Sequence, residues 1–162
     1  NMKFLSVGQD FRCGYKGSMG ITEISEYFEK NNLDLSICKD VILDNQRISS
    51  TLIRDFIFEG DIANAKKYLG RNYVLDCSGI KWKLLKEDEL STFSLQNFDK
   101  SKNVFFTKKL NQVTPHNSKI NATVITSSAT FKTSVNFTQD GIFIIDNIGN
   151  LSENVFIEEI VL

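Results

Sequence analysis

Three consecutive hydroxyl side chains, Ser49, Ser50 and Thr51, stand directly before an apolar run, and Arg54 follows on its first turn. The run predicts a helix, and the first N–H groups of a helix have no partner within it, so they can bind an anion. A guanidinium adds several charge-assisted hydrogen bonds to phosphate. These residues therefore predict a phosphate-binding helix N-terminus. The alternative is an ordinary N-cap, because Ser and Thr also cap many helices that bind nothing.

The elements around this segment alternate between strand and helix. A predicted strand over Lys3–Val7 ends at Gly8 and is followed by a helix over Ile21–Lys30 and a strand over Leu33–Ile37. A short strand at Val41-Ile42-Leu43 comes next, and then a helix that ends at Gly60. The last predicted element of this part is a helix over Ile62–Leu69, between Asp61 and Gly70. This order predicts part of a parallel α/β sheet. Ligands of such sheets bind at the carboxyl ends of the strands, where we expect the Gly8–Gly20 loop and the Ser49–Arg54 segment.

The pattern changes near Tyr73, after which short β-type segments dominate. Predicted strands lie at Tyr73–Cys77, Ile80–Leu85, Val104–Thr107, Ile120–Thr126, Ala129–Phe137, Ile142–Asp146 and Val155–Leu162. Apolar and polar residues alternate within Ala129–Phe137, as in a half-buried strand, and Asp140-Gly141 is typical of a hairpin turn. We predict a small antiparallel β-barrel. The predicted domains are therefore residues 1–72, an α/β unit, and residues 73–162, the barrel.

Composition limits the class of protein. Of the 162 residues, 41% are hydrophobic and 24% charged, which is typical of a globular protein. The net charge of −1 predicts neither a nucleic-acid nor a membrane partner. No apolar run has the length of a membrane span, and no leader is recognisable at the start. All four arginines lie within the first 71 residues, so any phosphate chemistry is expected there.

Cysteine and histidine are too few for most metal or nucleophile chemistry. The three cysteines, Cys13, Cys38 and Cys77, are widely spaced, which argues against disulfides and a zinc site and favours the cytoplasm. His116, the only histidine, lies in a loop-like stretch and is expected at the surface. We therefore predict no protein-bound metal.

Three motifs in the first half resemble the C-terminal part of the FMN adenylyltransferase module of bacterial FAD synthetases, the bifunctional riboflavin kinase/FMN adenylyltransferase family. Val7-Gly8-Gln9-Asp10-Phe11-Arg12-Cys13-Gly14 resembles its Gly-x-Asp/Asn-Phe-x-Phe-Gly loop. Ile48-Ser49-Ser50-Thr51-Leu52-Ile53-Arg54 resembles its Ile-Ser-Ser-Thr-x-Ile-Arg segment. The stretch from Gly60-Asp61 through Ala65 to Leu69-Gly70-Arg71-Asn72-Tyr73 resembles the passage into its kinase barrel.

The resemblance implies a nucleotidyltransferase-type site for ATP, FMN and magnesium. Its implied ligand-binding residues are Ser49, Ser50, Thr51, Arg54, Asp10, Phe11 and Arg12. Arg54 and Asp10 are the candidate catalytic residues, with Arg54 offsetting charge on the phosphates during adenylyl transfer. A turn-forming Asp10 and a core Phe11 are the structural alternatives. Arg47 and Arg71 are weaker site candidates, for which solvated side chains are the preferred interpretation.

Two family motifs have no counterpart in this sequence. The His-x-Gly-His-type motif, which supplies the other side of the ATP site, is absent, so the sequence predicts half of a site. The kinase signature Gly-x-Pro-Thr-x-Asn is also absent, and Pro115 is the only proline. The resemblance therefore implies a divergent barrel without riboflavin kinase activity.

Three functions remain open from the sequence. The first is an FAD synthetase-related protein that transfers AMP from ATP to FMN when the missing half of the site is supplied. The second is a non-catalytic module that binds a flavin or nucleotide or interacts with another protein. Exposed sheet edges would allow such a module to form a homo-oligomer. The third is a small-barrel oligonucleotide binder, which only Lys81-Trp82-Lys83 favours.

Overall fold

The computed structural model describes residues 2–93, 102–108, 110–146 and 156–162 of the chain. These residues fall into two compact units, Asn1–Ile48 and Ser49–Leu162, which are described separately. Within the described residues, no helix combines the length and the apolar character that crossing a membrane requires. The predicted boundary between residues 72 and 73 lies inside the second unit and stays a prediction.

A parallel strand–helix–strand motif forms the first unit. Its elements are β1 (Phe4–Gly8), a 3-10 turn (Tyr15–Gly17), α1 (Ile21–Lys30), β2 (Asp34–Cys38), β3 (Ile42–Leu43) and β4 (Gln46–Arg47). Strands β1 and β2 pair in parallel, with Leu5 beside Leu35. Helix α1 buries Ile24 and Phe28, the inward positions of its 3.6-residue period. The predicted parallel α/β arrangement is confirmed for these residues.

Strands β3 and β4 form a hairpin, of which the sequence predicted only the first strand. Val41-Ile42-Leu43 was expected to continue β2 or to form a separate short strand, and the structure shows the separate strand β3. The turn residues Asp44 and Asn45 both have positive φ, which is the conformation of a type I′ turn. Ile42 pairs with Arg47, so the hairpin carries Arg47 on its second strand.

The second unit begins with two helices, α2 (Ser50–Phe58) and α3 (Ile62–Leu69). The Asp61 side chain caps α3 by accepting a hydrogen bond from the Asn64 N–H at 3.1 Å. Gly70 ends α3 in the left-handed conformation, as the sequence predicted. Ile57, Ala65 and Tyr68 are buried, and Ile62 packs against the core of the β-sheet.

A curled, antiparallel, seven-stranded sheet makes up the rest of the second unit. Its strands are β5 (Val74–Asp76), β6 (Lys83–Leu84), β7 (Asn103–Thr107), β8 (Ser118–Thr126), β9 (Thr130–Phe137), β10 (Ile142–Asp146) and β11 (Ile157–Val161), and a short helix, α4 (Glu87–Leu90), follows β6. Their order is β5-β11-β8-β9-β10-β7-β6. The sheet forms a half-barrel. The predicted antiparallel β architecture is therefore confirmed for the described residues, as a half-barrel and not as a closed barrel.

Burial follows the predicted alternation along β9, where Thr133, Val135 and Phe137 are buried between more exposed neighbours. The predicted strand Ile80–Leu85 is wrong in length, because only Lys83–Leu84 pairs with β7. Trp82 instead packs against the core, and in the described part of the chain its buried indole N–H has no hydrogen-bond partner.

Gly141 is required by the close approach of two strands at the predicted Asp140-Gly141 turn. A Cβ at this position would overlap the Thr107 carbonyl oxygen and lie 2.6 Å from the Phe106 ring. We expect Gly141→Ala to lower the free energy of unfolding by about 2–3 kcal/mol, the upper part of the range for overpacking. Chemical denaturation measures the loss.

Gly70→Ala is the matched control for Gly141→Ala. Gly70 has φ +72, but nothing lies within 4 Å of a Cβ placed there. Its substitution should cost about 1 kcal/mol, from the left-handed backbone alone. Equal costs at both glycines would contradict the overpacking at Gly141.

Candidate functional site

Ser49 occupies the N-cap of α2. Its backbone is extended, with φ −142 and ψ 156, and its hydroxyl accepts a hydrogen bond from the Leu52 N–H at 3.1 Å. The Ser49 side chain is therefore the N-cap of α2, which is the alternative that the sequence left open for this segment. Its hydroxyl is engaged within the protein, where it fixes the first turn of the helix, and its role toward a ligand stays a prediction.

Ser50 and Thr51 remain available on the first turn of α2, and Arg54 reaches back to them from the next turn. All three are exposed, and Arg54 Nη2 donates a hydrogen bond to Thr51 Oγ1 at 3.3 Å. The first turn contains no acidic residue that would compete for the guanidinium. The helix dipole places partial positive charge at the same end. Hydroxyl, guanidinium and unpaired N–H groups thus gather at one exposed helix end, where phosphate oxygens would find donors.

Asp10 lies in the loop after β1 and forms an ion pair with Arg47, which was expected to be solvated. Arg47 Nη2 lies 2.8 Å from Asp10 Oδ2, and Arg47 Nε lies 3.1 Å from Asp40 Oδ1. The hydrogen bond from Arg47 lowers the pKa of Asp10 below its ordinary value, and the nearby charge raises the pKa of Arg47. Arg47 was a weaker site candidate from the sequence, and it is a half-exposed residue that pairs with Asp10. Its role toward a ligand stays a prediction.

The neighbouring loop residues have different surroundings. Arg12 is exposed and donates to the Gly17 carbonyl oxygen at 3.2 Å, which holds the loop together. Phe11 is half-buried and lines an apolar cleft of about 380 Å³ in the first unit. The other residues lining this cleft are Met2, Leu5, Cys13, Met19, Ile24, Tyr27 and Phe28. The proposed structural role of Phe11 agrees with this packing, and its role toward a ligand stays a prediction.

The site residues fall into two groups, one in each unit. Asp10, Phe11 and Arg12 lie with Arg47 in the first unit, and the Ser49–Arg54 segment opens the second. Among the described residues, no cluster of three or more His, Cys, Asp or Glu side chains could hold a metal ion. Burial raises the pKa of the Cys77 thiol to about 12, so it is unsuited to act as a nucleophile.

Arg47→Gln is expected to raise the pKa of Asp10 toward its ordinary value, because the hydrogen bond and the positive charge are both removed. Since the folded-state pKa is lowered, the pair stabilises the fold above the ordinary carboxyl pKa, and this contribution is lost as the pH falls through the lowered value. Carboxyl-carbon NMR titration of Asp10 measures the shift. Arg12→Gln is the control and should leave it unchanged. If the pKa of Asp10 is unchanged in Arg47→Gln, the Asp10–Arg47 ion pair is not the cause of the lowered pKa.

A solved structure shows the class of fold to which the chain is similar. A crystal structure described as a macrolide-efflux protein from Streptococcus pneumoniae matches 98% of this chain and 48% of that chain, with a TM-score of 0.67. The sequence identity is 15%, so the similarity concerns the fold alone. No family model matches the sequence.

Two curated relatives are more specific. The chain is 33% identical over 73 residues to the bifunctional riboflavin kinase/FMN adenylyltransferase of Haemophilus influenzae. It is 35% identical over 74 residues to the protein of the same description from Buchnera aphidicola subsp. Schizaphis graminum. Each match covers 45% of this chain and 24% of the relative. These matches confirm the predicted resemblance to this family over that part of the chain.

Proposed function

We propose that this chain provides half of a nucleotidyltransferase-type site, which transfers AMP from ATP to FMN when the other half is supplied. The observation that carries the proposal is the first turn of α2, where Arg54 contacts Thr51 beside the exposed Ser50. The relatives that match part of this chain are described as riboflavin kinase/FMN adenylyltransferases, which supports a role in flavin biosynthesis.

In this proposal, each group of residues has its own role. Ser50, Thr51 and Arg54 bind the triphosphate of ATP, and Ser49 holds the helix end in shape. Arg54 stabilises the charge that develops on the phosphates as an FMN phosphate oxygen bonds to the α-phosphorus of ATP and pyrophosphate leaves. The loop of Asp10, Phe11 and Arg12 is assigned to the flavin or the reacting phosphates, with Asp10 as the second candidate catalytic residue. Magnesium accompanies ATP, as the resemblance to the FAD synthetase family implies.

Thermal unfolding in the presence of MgATP, FMN and both together tests ligand binding. A ligand at about 100 times its Kd stabilises the native state by about 2.7 kcal/mol. For a domain of this size, that corresponds to a rise in Tm of about 5–10 °C. If neither ligand, alone or combined, changes the Tm, the proposed site is wrong.

The alternative is a non-catalytic flavin- or nucleotide-binding module. The observation that favours it is the position of His116, the only histidine, which packs on Phe58 at the far end of α2 from Ser50. This histidine does not face the proposed phosphate site. The structure thus provides no histidine to complete the ATP site from the described residues of this chain.

FAD formation separates the two functions. The chain is mixed with FMN and MgATP, first alone and then with a polypeptide that carries the His-x-Gly-His half of a relative. FAD formed only in the second mixture supports the half-site. Ligand binding without FAD in either mixture favours the non-catalytic module. FAD formed by the chain alone would dismiss that module.

A further inference from the structure

The C-terminal end of α2 is held by the segment that precedes β8. The backbone N–H of His116 donates to the Phe58 carbonyl oxygen at 2.8 Å. The His116 and Phe58 rings stack with a centroid distance of 5.0 Å and an interplanar angle of 12°. The last carbonyl groups of a helix have no partner within it, so this external donor satisfies one of them.

A second contact lies just beyond the helix. A Cβ at Gly60 would lie 2.8 Å from Ser118 Oγ, so the chain passes close to Ser118 at this point. The Ser118 hydroxyl in turn donates to the His116 carbonyl oxygen at 2.8 Å. Ser118 is the first residue of β8, and β8 lies between β11 and β9 in the sheet. The end of α2 is thereby fixed to an interior strand of the sheet.

This attachment also determines how α2 is rotated about its axis. Arg54 and Phe58 are four residues apart, so they lie on the same face of the helix, one turn from each other. A stacked Phe58 therefore fixes the direction in which Arg54 projects. The helix has 9 residues, a length that is marginal without tertiary contacts. Its N-terminal donors and its dipole depend on the helix being formed.

We propose that His116 is a positioning residue for the phosphate site. By stacking on Phe58, it holds α2 in the orientation in which Arg54, Thr51 and Ser50 reach one phosphate group. His116 itself touches no ligand. The proposal rests on the proposed function, because it assigns a role toward the triphosphate that α2 is proposed to bind.

Calorimetric titration with MgATP tests the proposal in four variants of the full chain. His116→Ala removes the ring, and His116→Phe keeps an aromatic stack. Phe58→Leu removes the other ring while leaving an apolar side chain, and provides a second test if His116→Ala does not fold. Phe156→Ala is the matched control, because this aromatic residue of the second unit is 71% exposed.

We expect His116→Ala and Phe58→Leu to raise the Kd for MgATP about three- to tenfold, the range that corresponds to one aromatic pair. His116→Phe should stay within about twofold of the unaltered chain, and Phe156→Ala should not change the Kd. A lower Tm with an unchanged Kd in His116→Ala would show a merely structural role and overturn the proposal. Absence of MgATP binding by the unaltered chain would instead refute the proposed function, and the positioning role with it.

Discussion

Replacing Arg54 with alanine is expected to weaken MgATP binding about 10- to 100-fold, the range for a lost hydrogen bond to a charged group. The guanidinium is exposed and already contacts Thr51 on the first turn of α2. It adds a full positive charge to the partial charge of the helix end, so its loss removes the largest electrostatic contribution at this site. Calorimetric titration gives the Kd of each variant.

Arg54→Lys distinguishes charge from geometry. A lysine keeps the positive charge but lacks the planar fork that binds two phosphate oxygens together. We therefore expect a Kd between those of the unaltered chain and Arg54→Ala. Arg71→Ala is the control, because Arg71 is an exposed arginine of the same unit that donates to the Asn72 carbonyl oxygen. A similar loss of affinity in Arg71→Ala would indicate nonspecific attraction of the anion.

Phe105→Ala is expected to lower the free energy of unfolding of the second unit by about 3–5 kcal/mol. Phe105 is 1% exposed and belongs to the main core cluster of the sheet. It stands beside Ile144 on one neighbouring strand and Leu84 on the other. Its removal loses buried apolar area and leaves a cavity that the surrounding strands cannot fill. Urea denaturation measures the change.

Two variants accompany Phe105→Ala. Phe105→Leu keeps most of the apolar volume and should cost less than half as much as the alanine variant. Phe156→Ala removes the same ring from an exposed position and should stay within about 0.5 kcal/mol of the unaltered chain. If Phe105→Ala is as mild as Phe156→Ala, the side chain does not occupy a closed core.

Local signals in the sequence were sufficient for helices α1 to α3 and most strands, whereas the short helix α4 was not predicted. Asp61 and Gly70 delimit α3 at the predicted residues, because a cap and a left-handed terminus act within one turn of chain. The buried positions of β9 follow the alternation of its side chains. The family resemblance was also readable, since its motifs are short contiguous strings, and the curated relatives confirm it.

The roles within the candidate site needed tertiary structure. Ser49, Ser50 and Thr51 have similar side chains, and only the backbone geometry at the start of α2 shows that Ser49 is the cap. The predicted ligand roles of Asp10, Phe11 and Arg12 remain predictions. Their surroundings in the first unit are determined by contacts that local sequence does not encode.

Contacts between distant residues were decided by the fold. Arg47 and Asp10 are 37 positions apart, and no local pattern indicates that they pair. Phe58 and His116 are likewise brought together only when the end of α2 meets the segment that precedes β8. The strand order of the sheet depends on the same long-range packing. The sequence by itself thus determined helices α1 to α3, most of the strands and the hydroxyl–arginine motif at the start of α2. Tertiary structure decided which donors in that motif remain free and what holds its helix, because both depend on residues far apart in the chain.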